Sequence, residues 1–145
     1  MGMTGNALWL IFAMLAQGVL ALALLWHLGF HRVPMVLNGK VRIADIALDK
    51  EAWPERARQV SNAVDNQFQL PGLFYVACFL AICFGVTLFE VVLAALFVLS
   101  RYAHAFIHIT SNHVVRRFQA YVVGFLVLCV FWVDLLVRLL LIALS

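Results

Sequence analysis

The chain has 145 residues and is 66% hydrophobic but only 12% charged, with a formal net charge of +3. Its mean hydropathy of +1.02 lies far outside the range of soluble proteins. The length fits one domain, so we treat residues 1–145 as a single unit. The sequence contains no base-reading motif and no aromatic platform, which argues against a nucleic-acid-binding protein.

Four apolar runs are long enough to cross a bilayer as helices, since a span needs about 20 residues. They cover residues 7–30, 70–89, 91–109 and 121–144. The first run is longer than the apolar region of a signal peptide and has no basic residues before it, so we interpret it as a true membrane helix. The sequence thus predicts an all-α integral membrane protein built as a four-helix bundle.

Basic residues are distributed unevenly between the loops. Six of them lie between the first two spans, and Arg116 and Arg117 lie between the last two. The link between the second and third spans offers only Glu90. By the positive-inside rule, both basic loops are cytoplasmic and both termini lie on the opposite side of the membrane. We expect this membrane to be the inner membrane of a bacterium.

The second helix is predicted to begin before the membrane, near residues 49–54. Pro54 suits a first helical turn, and Glu51 and Glu55 suit the positive end of the helix dipole. The helix is then expected to continue into the apolar run. We expect a kink at Pro71, because proline removes one intrahelical hydrogen bond.

A polar stripe enters the second span at helical spacing. Its members occupy one helix face at i, i+4, i+7, i+8 and i+11, and they are Arg58, Asn62, Asp65, Asn66 and Gln69. A charged stripe that enters a bilayer is costly unless it meets partners or a ligand. Arg, Asn and Asp side chains suit a peptide-like ligand with carboxylates and an ammonium group. The stripe therefore predicts a polar ligand site at the cytoplasmic mouth of the bundle.

A second polar stripe repeats at helical spacing along the third span. It consists of Arg101, His104, His108 and either Ser111 or Asn112. The two histidines can be ordinary buried residues of the bundle. A pair at i and i+4 can also bind a metal, but no third ligand lies at a suitable spacing, so we predict no metal site.

Two arginines inside the spans are expected to have structural roles. Arg101 lies roughly 16 Å along the helix from Glu90, near the bilayer midplane, where an arginine must find an interior partner. We interpret it as a structural clamp. In the fourth helix, the i, i+4 spacing of Asp134 and Arg138 predicts a local ion pair.

The short link between the second and third spans predicts a tight antiparallel hairpin. A hairpin centred near Leu88 places His108 level with Phe68 and Ser111 level with Asp65. The two polar stripes are therefore expected to face each other at the cytoplasmic end, beside the start of the fourth helix.

Two segments resemble the family of membrane-associated proteins in eicosanoid and glutathione metabolism (MAPEG), which includes the microsomal glutathione transferases. Residues 55–71, ERARQVSNAVDNQFQLP, are similar to the family signature at the start of the second helix. Residues 101–124, RYAHAFIHITSNHVVRRFQAYVVG, are similar to the family's third helix and following loop. The matched positions are Arg58, Asn62, Asp65, Asn66, Pro71, Arg101, His104, His108, Arg117 and Gly124. Asp65 replaces the usual Glu, and His108 replaces the expected Tyr.

The resemblance implies a homotrimer of four-helix subunits. Glutathione, as co-substrate, would bind between subunits near the cytoplasmic face, and a lipophilic substrate would enter from the bilayer. By the same match, the glutathione-binding residues would be Arg58, Asn62, Asp65, Asn66, His104 and His108. Arg117 would be the catalytic residue that stabilises the thiolate. Lowering a thiol pKa from about 8.5 towards 7 takes roughly 2 kcal/mol, which is within reach of one arginine.

Arg117 is favoured over Arg116 because it keeps the family's spacing to Arg101 and Gly124. In the alternative interpretation, both arginines only anchor the fourth helix to the lipid headgroups.

The leading functional hypothesis is a membrane-embedded glutathione-dependent transferase or peroxidase that acts on lipophilic electrophiles or hydroperoxides. The alternative is a non-catalytic family member that binds lipids or serves as a scaffold. A transporter or channel subunit is less favoured, because the polar residues cluster at one end of the bundle instead of forming paired sites at the midplane. The expected partners are membrane lipids, the lipophilic substrate and further copies of the chain.

Overall fold

The computed structural model describes residues 4–144. Its helices are α1 (Gly5–Leu37), α2 (Ile43–Ile46), α3 (Glu55–Asp65), α4 (Leu70–Phe84), α5 (Leu88–Ile109) and α6 (Val114–Leu144). A 3₁₀ turn covers Lys50–Ala52. Four segments are long and apolar enough to cross a membrane, namely α1, α3 with α4, α5 and α6. The prediction of an all-α bundle with four candidate membrane spans is confirmed.

Local sequence signals fix the helix starts. The Thr4 hydroxyl caps α1 by accepting a hydrogen bond from the Ala7 backbone N–H at 3.3 Å. Thr87 and Glu90 form a capping box at the start of α5, in which each side chain bonds the backbone of the other. α3 begins directly after Pro54, so the predicted start of the second helix is confirmed.

The core lies where α1, α4, α5 and α6 meet. Phe74 of α4 stacks on Phe97 of α5 with ring centroids 4.5 Å apart, and both side chains are fully buried. Phe131 of α6 belongs to the same cluster. α5 and α6 pack closely at Gly124, where a Cβ atom would lie 2.5 Å from the Ser100 hydroxyl. Any larger residue at this position would therefore have to displace Ser100.

The second span is broken at residues 66–69, where the sequence predicted a continuous helix with a kink. α3 ends at Asp65, and α4 begins at Leu70. Pro71 lies in the first turn of α4, where its missing N–H breaks no helical hydrogen bond. Gln69 has φ −89° and ψ −98°, so it does not continue the α3 face. The predicted place of Gln69 in the first polar stripe is wrong.

A buried ion pair holds the link between α4 and α5. Glu90 has no exposed surface, and its carboxylate pairs with Arg138 of α6. Arg138 Nη2 also donates to the carbonyl oxygens of Phe84 and Gly85, at 3.0 and 2.7 Å. Arg138 thus pairs across the bundle instead of with Asp134 one turn away, which corrects the predicted local pair. A buried carboxylate and two helix-end carbonyls together satisfy more of its donors.

Two hydrogen bonds define the register between the second and third spans. Gln59 Nε2 donates to the His108 carbonyl at 2.5 Å, and Arg101 Nη2 donates to the Asn66 carbonyl at 3.0 Å. These contacts centre the antiparallel pair near the end of α4 and not near Leu88. The predicted register is therefore wrong. The broken second span and the non-helical link change which residues of the second and third spans lie side by side.

The end of α5 also differs from the prediction. α5 ends at Ile109, so Ser111 and Asn112 lie in the turn before α6 and do not extend the second stripe. His108 is level with α3 and not with Phe68. The short link after α4 is confirmed, but α5 packs mainly against α6 and α1.

Candidate functional site

A small recess opens where the end of α3 meets α5 and the start of α6. Its volume is about 180 Å³. Its lining residues are Asn66, His104, Val114, Arg117, Phe118 and Tyr121. We call this cavity the basic recess, because its lining includes an arginine and, among the described residues, no acidic side chain.

His104 of α5 lines the basic recess, and the buried side chains of Arg101 and His108 extend this α5 wall along the same helix face. Arg101 has no exposed surface and bonds the carbonyl of Asn66 in the turn between α3 and α4. Its guanidinium carbon lies 5.7 Å from the ring centroid of Tyr121. The rings of His104 and His108 stack with centroids 5.6 Å apart. Arg101 thus clamps the broken second span, as the sequence predicted, from the same face of α5 that carries His104.

Several nitrogen atoms in this wall have no hydrogen-bond partner within residues 4–144. They are Nε and Nη1 of Arg101 and the Nδ1 atoms of His104 and His108. Buried polar groups in native proteins are almost always bonded to protein, ordered water or a ligand. The unused hydrogen-bonding capacity on one face of α5 therefore indicates a polar occupant.

Arg117 and Arg116 have different environments although they are adjacent in the sequence. Arg117 is half-buried, lines the basic recess and donates to Asn112 Oδ1 at 2.6 Å. Asn112 has a left-handed backbone with φ 48°, which Asn adopts more readily than most residues. Arg116 is exposed. Of the two arginines, Arg117 is the one that lines the recess.

The other members of the first stripe lie outside the recess. Asn62 and Asp65 are exposed on the outer face of α3, and Arg58 is partly exposed there. Arg58 pairs with the carboxylate of Glu51, and Asp65 lies 3.7 Å from Lys50 Nζ. Within one chain the two stripes therefore do not face each other as predicted. The first stripe reaches the recess only at its C-terminal end.

The inner face of α3 explains this orientation. It carries small apolar residues that are buried, namely Ala57, Val60, Ala63 and Val64. Ala63 and Val64 belong to a cluster that also includes residues of α1 and α5. In an amphipathic helix the apolar face takes the core and the polar face turns outward. The helical spacing of the polar residues was visible in the sequence. The buried apolar residues on the opposite face of α3 determined how this helix is oriented in the bundle.

Sequence reasoning missed two residues that shape the site. Tyr121 lines the recess and makes an edge contact with His104, with ring centroids 5.9 Å apart. It follows Arg117 by one helical turn, so its i, i+4 spacing was the available signal. Gln59 anchors α3 to α5 through the His108 carbonyl, and no local signal indicated this contact.

The chemistry of the basic recess suits an anion. Arg117, with Arg101 behind the recess, supplies positive charge and hydrogen-bond donors, which are the groups that bind carboxylates and thiolates. Residues 4–144 contain no group of three His, Cys, Asp or Glu side chains arranged to hold a metal ion.

Comparison with known protein families agrees with these motifs. The model of the MAPEG family matches residues 10–137, which include the whole of the basic recess. Neither the comparison with curated proteins nor the comparison with solved structures gave a match. The resemblance predicted from the sequence is confirmed, and the chain belongs to the MAPEG family.

Proposed function

We propose that this protein is a membrane-embedded glutathione-dependent transferase or peroxidase that acts on lipophilic electrophiles or hydroperoxides. Many members of its family are glutathione-dependent enzymes. The observation that carries the proposal is the basic recess, where Arg117 lies near buried nitrogens with unused hydrogen-bonding capacity. A neighbouring cation lowers the pKa of a thiol, and the thiolate is the nucleophile.

The basic recess is proposed to hold the thiol end of glutathione. Arg117 would stabilise the thiolate by charge and by hydrogen bonding. Asn66, His104 and His108 would bind the adjoining polar atoms of the peptide, because they border the recess or continue its α5 wall. Tyr121 would close the inner side of the cavity.

A homotrimer would complete this site. The recess of about 180 Å³ is smaller than common ligand pockets of about 300–1,000 Å³. Arg58, Asn62 and Asp65 lie on the outer face of α3, where a neighbouring copy can approach. The charges of Arg58 and Asp65 complement the carboxylates and the ammonium group of glutathione, and the Asn62 amide can bond either group. We therefore propose that glutathione binds between subunits, with one wall from each.

The proposed reaction begins when the bound thiol loses its proton to solvent. In transferase chemistry, the thiolate sulfur forms a bond with an electrophilic carbon, and the leaving group departs with the bonding electrons. In peroxidase chemistry, the sulfur attacks the terminal peroxide oxygen and becomes a sulfenic acid, while the O–O bond breaks and the alkoxide leaves and takes up a proton to become the alcohol. A second glutathione then reduces the sulfenic acid, which yields a disulfide and water.

We propose a bacterial inner-membrane location with both basic loops in the cytoplasm and both termini on the other side. The four candidate spans support membrane insertion. The unequal distribution of Lys and Arg supports the orientation. A reporter that is active only in the cytoplasm should be inactive when fused to the C-terminus, and activity there would reverse the topology.

A non-catalytic lipid-binding or scaffold protein is the second candidate function. It is favoured by the ion pairs of Arg58 with Glu51 and of Asp65 with Lys50, because these pairs occupy groups that would otherwise bind glutathione. The partners from the preceding loop are largely exposed, so each pair is weak and a ligand can replace it.

The proposed function is tested with purified protein in detergent, using glutathione and S-methylglutathione. Calorimetry measures the binding of both compounds, and rate assays follow conjugation of an aryl halide and reduction of a lipid hydroperoxide. We expect both compounds to bind and only glutathione to support turnover. Binding without turnover would favour the second candidate, and no binding to a verified trimer would reject the glutathione site.

A further inference from the structure

The turn between α3 and α4 also borders a second cavity, which lies between α1 and α4. We call it the α1–α4 cleft, and its volume is about 380 Å³. Its polar lining residues are Gln17, Gln67 and Tyr75, and its lining also includes Leu22, Leu25 and Phe68. None of these residues lines the basic recess. The cleft is therefore a separate feature of the bundle.

The α1–α4 cleft has an exposed apolar mouth and a buried polar end. Leu22 and Phe68 are 67% and 68% exposed, whereas Gln17 has no exposed surface. Leu22 and Gln17 belong to the first candidate membrane span. Within one subunit, the apolar mouth of the cleft therefore opens on the part of the span surface that suits contact with lipid.

The polar end of the cleft has unused acceptors. Gln17 Nε2 donates to Gln67 Oε1 at 3.0 Å, and Gln67 Nε2 donates to the Ala63 carbonyl at 3.3 Å. Gln17 Oε1 is buried and has no partner within the described chain. The Tyr75 hydroxyl donates to the Met14 carbonyl at 3.3 Å, so its remaining capacity is also that of an acceptor.

An acceptor without a partner is costly within a membrane, where water is scarce. We propose that the α1–α4 cleft binds a long-chain alcohol or hydroperoxide whose O–H group donates a hydrogen bond to Gln17 Oε1. The apolar mouth would receive the hydrocarbon chain. An ionised fatty acid fits poorly, because its carboxylate brings only acceptors to an end that already has them. With an alcohol as occupant, this site is independent of the proposed thiol chemistry; with a hydroperoxide, it rests on the proposed function, because that compound would be a substrate of the proposed peroxidase.

The test uses the assembled protein in lipid nanodiscs and a long-chain alcohol that carries a photoreactive diazirine. The methyl ether of the same compound is the matched probe, because it has the same chain and no donor. Peptide mapping after irradiation identifies the labelled segments. We expect the alcohol to label α1 and α4 around the cleft and the ether to label them much less.

Two variants and one control assign the labelling to the cleft. Gly72→Leu should fill the cavity and abolish labelling, since a Cβ atom at Gly72 meets nothing within 4 Å. Gly29→Leu is the control, because that site is equally open and lies on a different groove of α1. Gln17→Leu combined with Gln67→Leu should lower the preference for alcohol over ether roughly tenfold, because the single change would leave Gln67 Oε1 as a new free acceptor.

Each outcome decides for or against the proposal. Displacement of the alcohol probe by unlabelled alcohol or by unlabelled hydroperoxide supports the site and shows which of them it takes. Equal labelling by alcohol and ether would overturn the proposal, because the polar end would then hold only water. Absence of labelling in the assembled protein would overturn it too, since a second copy of the chain would then cover the cleft. Added glutathione should leave the labelling unchanged.

Discussion

Two arginines inside the bundle, Arg138 at the α4–α5 link and Arg101 further along α5, have contrasting contacts. At the link between α4 and α5, Arg138 pairs with the Glu90 carboxylate and bonds two backbone carbonyls. Beside the basic recess, Arg101 bonds the Asn66 carbonyl but leaves Nε and Nη1 without protein partners. Arg138 therefore bonds a carboxylate and two carbonyl oxygens, whereas Arg101 bonds one carbonyl and has two nitrogens without a protein partner.

This difference separates a structural cluster from a candidate site. A buried charge that is fully paired is held in place, and losing its partner is strongly destabilising. A buried cluster with unused donors beside an accessible cation is arranged to bind something else. A position inside the bundle does not by itself distinguish Arg138 from Arg101. The number of hydrogen bonds that each makes to the protein does.

Substitutions at the α4–α5 link should change the stability of the bundle most. Arg138→Leu leaves the Glu90 carboxylate buried and unpaired, so we expect the free energy of unfolding to fall by about 3–5 kcal/mol. Arg117→Leu is the matched control and should cost less than about 1 kcal/mol, because Arg117 is only half-buried. Unfolding in detergent measures both variants. Equal losses of unfolding free energy in the two variants would mean that the ion pair of Arg138 stabilises the bundle no more than the contacts of Arg117.

A smaller effect is expected at the outer face of α3. Arg58→Ala should weaken glutathione binding by about 1–3 kcal/mol, through loss of a charge-assisted hydrogen bond. Arg56→Ala is the control, since Arg56 is exposed and bonds Gln59 at 3.1 Å. Calorimetry compares the two variants with the unmodified protein. Unchanged affinity in Arg58→Ala would move the site elsewhere.

The smallest effect concerns the loop before α3. Glu51→Gln should free Arg58 from its ion pair and tighten glutathione binding by at most about 1 kcal/mol, because Glu51 is largely exposed. Glu55→Gln is the control on the first turn of the same helix. The gain should shrink at high salt, where exposed charges are screened. Weaker binding in Glu51→Gln would mean that Glu51 holds Arg58 in its productive position.

The main elements of the fold could be predicted from the sequence because they depend on local patterns. The long apolar runs and the start of the second helix after Pro54 are each determined by residues that are close together in the sequence. The break at residues 66–69 could not be predicted, because it is stabilised by contacts distant in the sequence. Arg101 of α5 donates a hydrogen bond to the Asn66 carbonyl, and Gln17 of α1 donates one to the Gln67 side chain.

The candidate site was predictable in its residue types but not in its geometry. Helical spacing grouped Arg58, Asn62 and Asp65 correctly on one face of α3, and their outward orientation depended on packing against α1 and α5. Arg138 found a distant partner in preference to one at i−4. Gln17 could have been noticed, since a lone Gln inside an apolar run marks a polar contact within the membrane.

We propose that Arg117 stabilises a glutathione thiolate in the basic recess. The most direct test is the ultraviolet difference spectrum of the thiolate during titration with glutathione. It compares the unmodified protein, Arg117→Ala and Arg116→Ala, each verified to have the same oligomeric state. We predict a thiolate signal in the unmodified protein and in Arg116→Ala, and its loss in Arg117→Ala. Equal signals from Arg117→Ala and the unmodified protein would contradict the claim, as would a loss confined to Arg116→Ala.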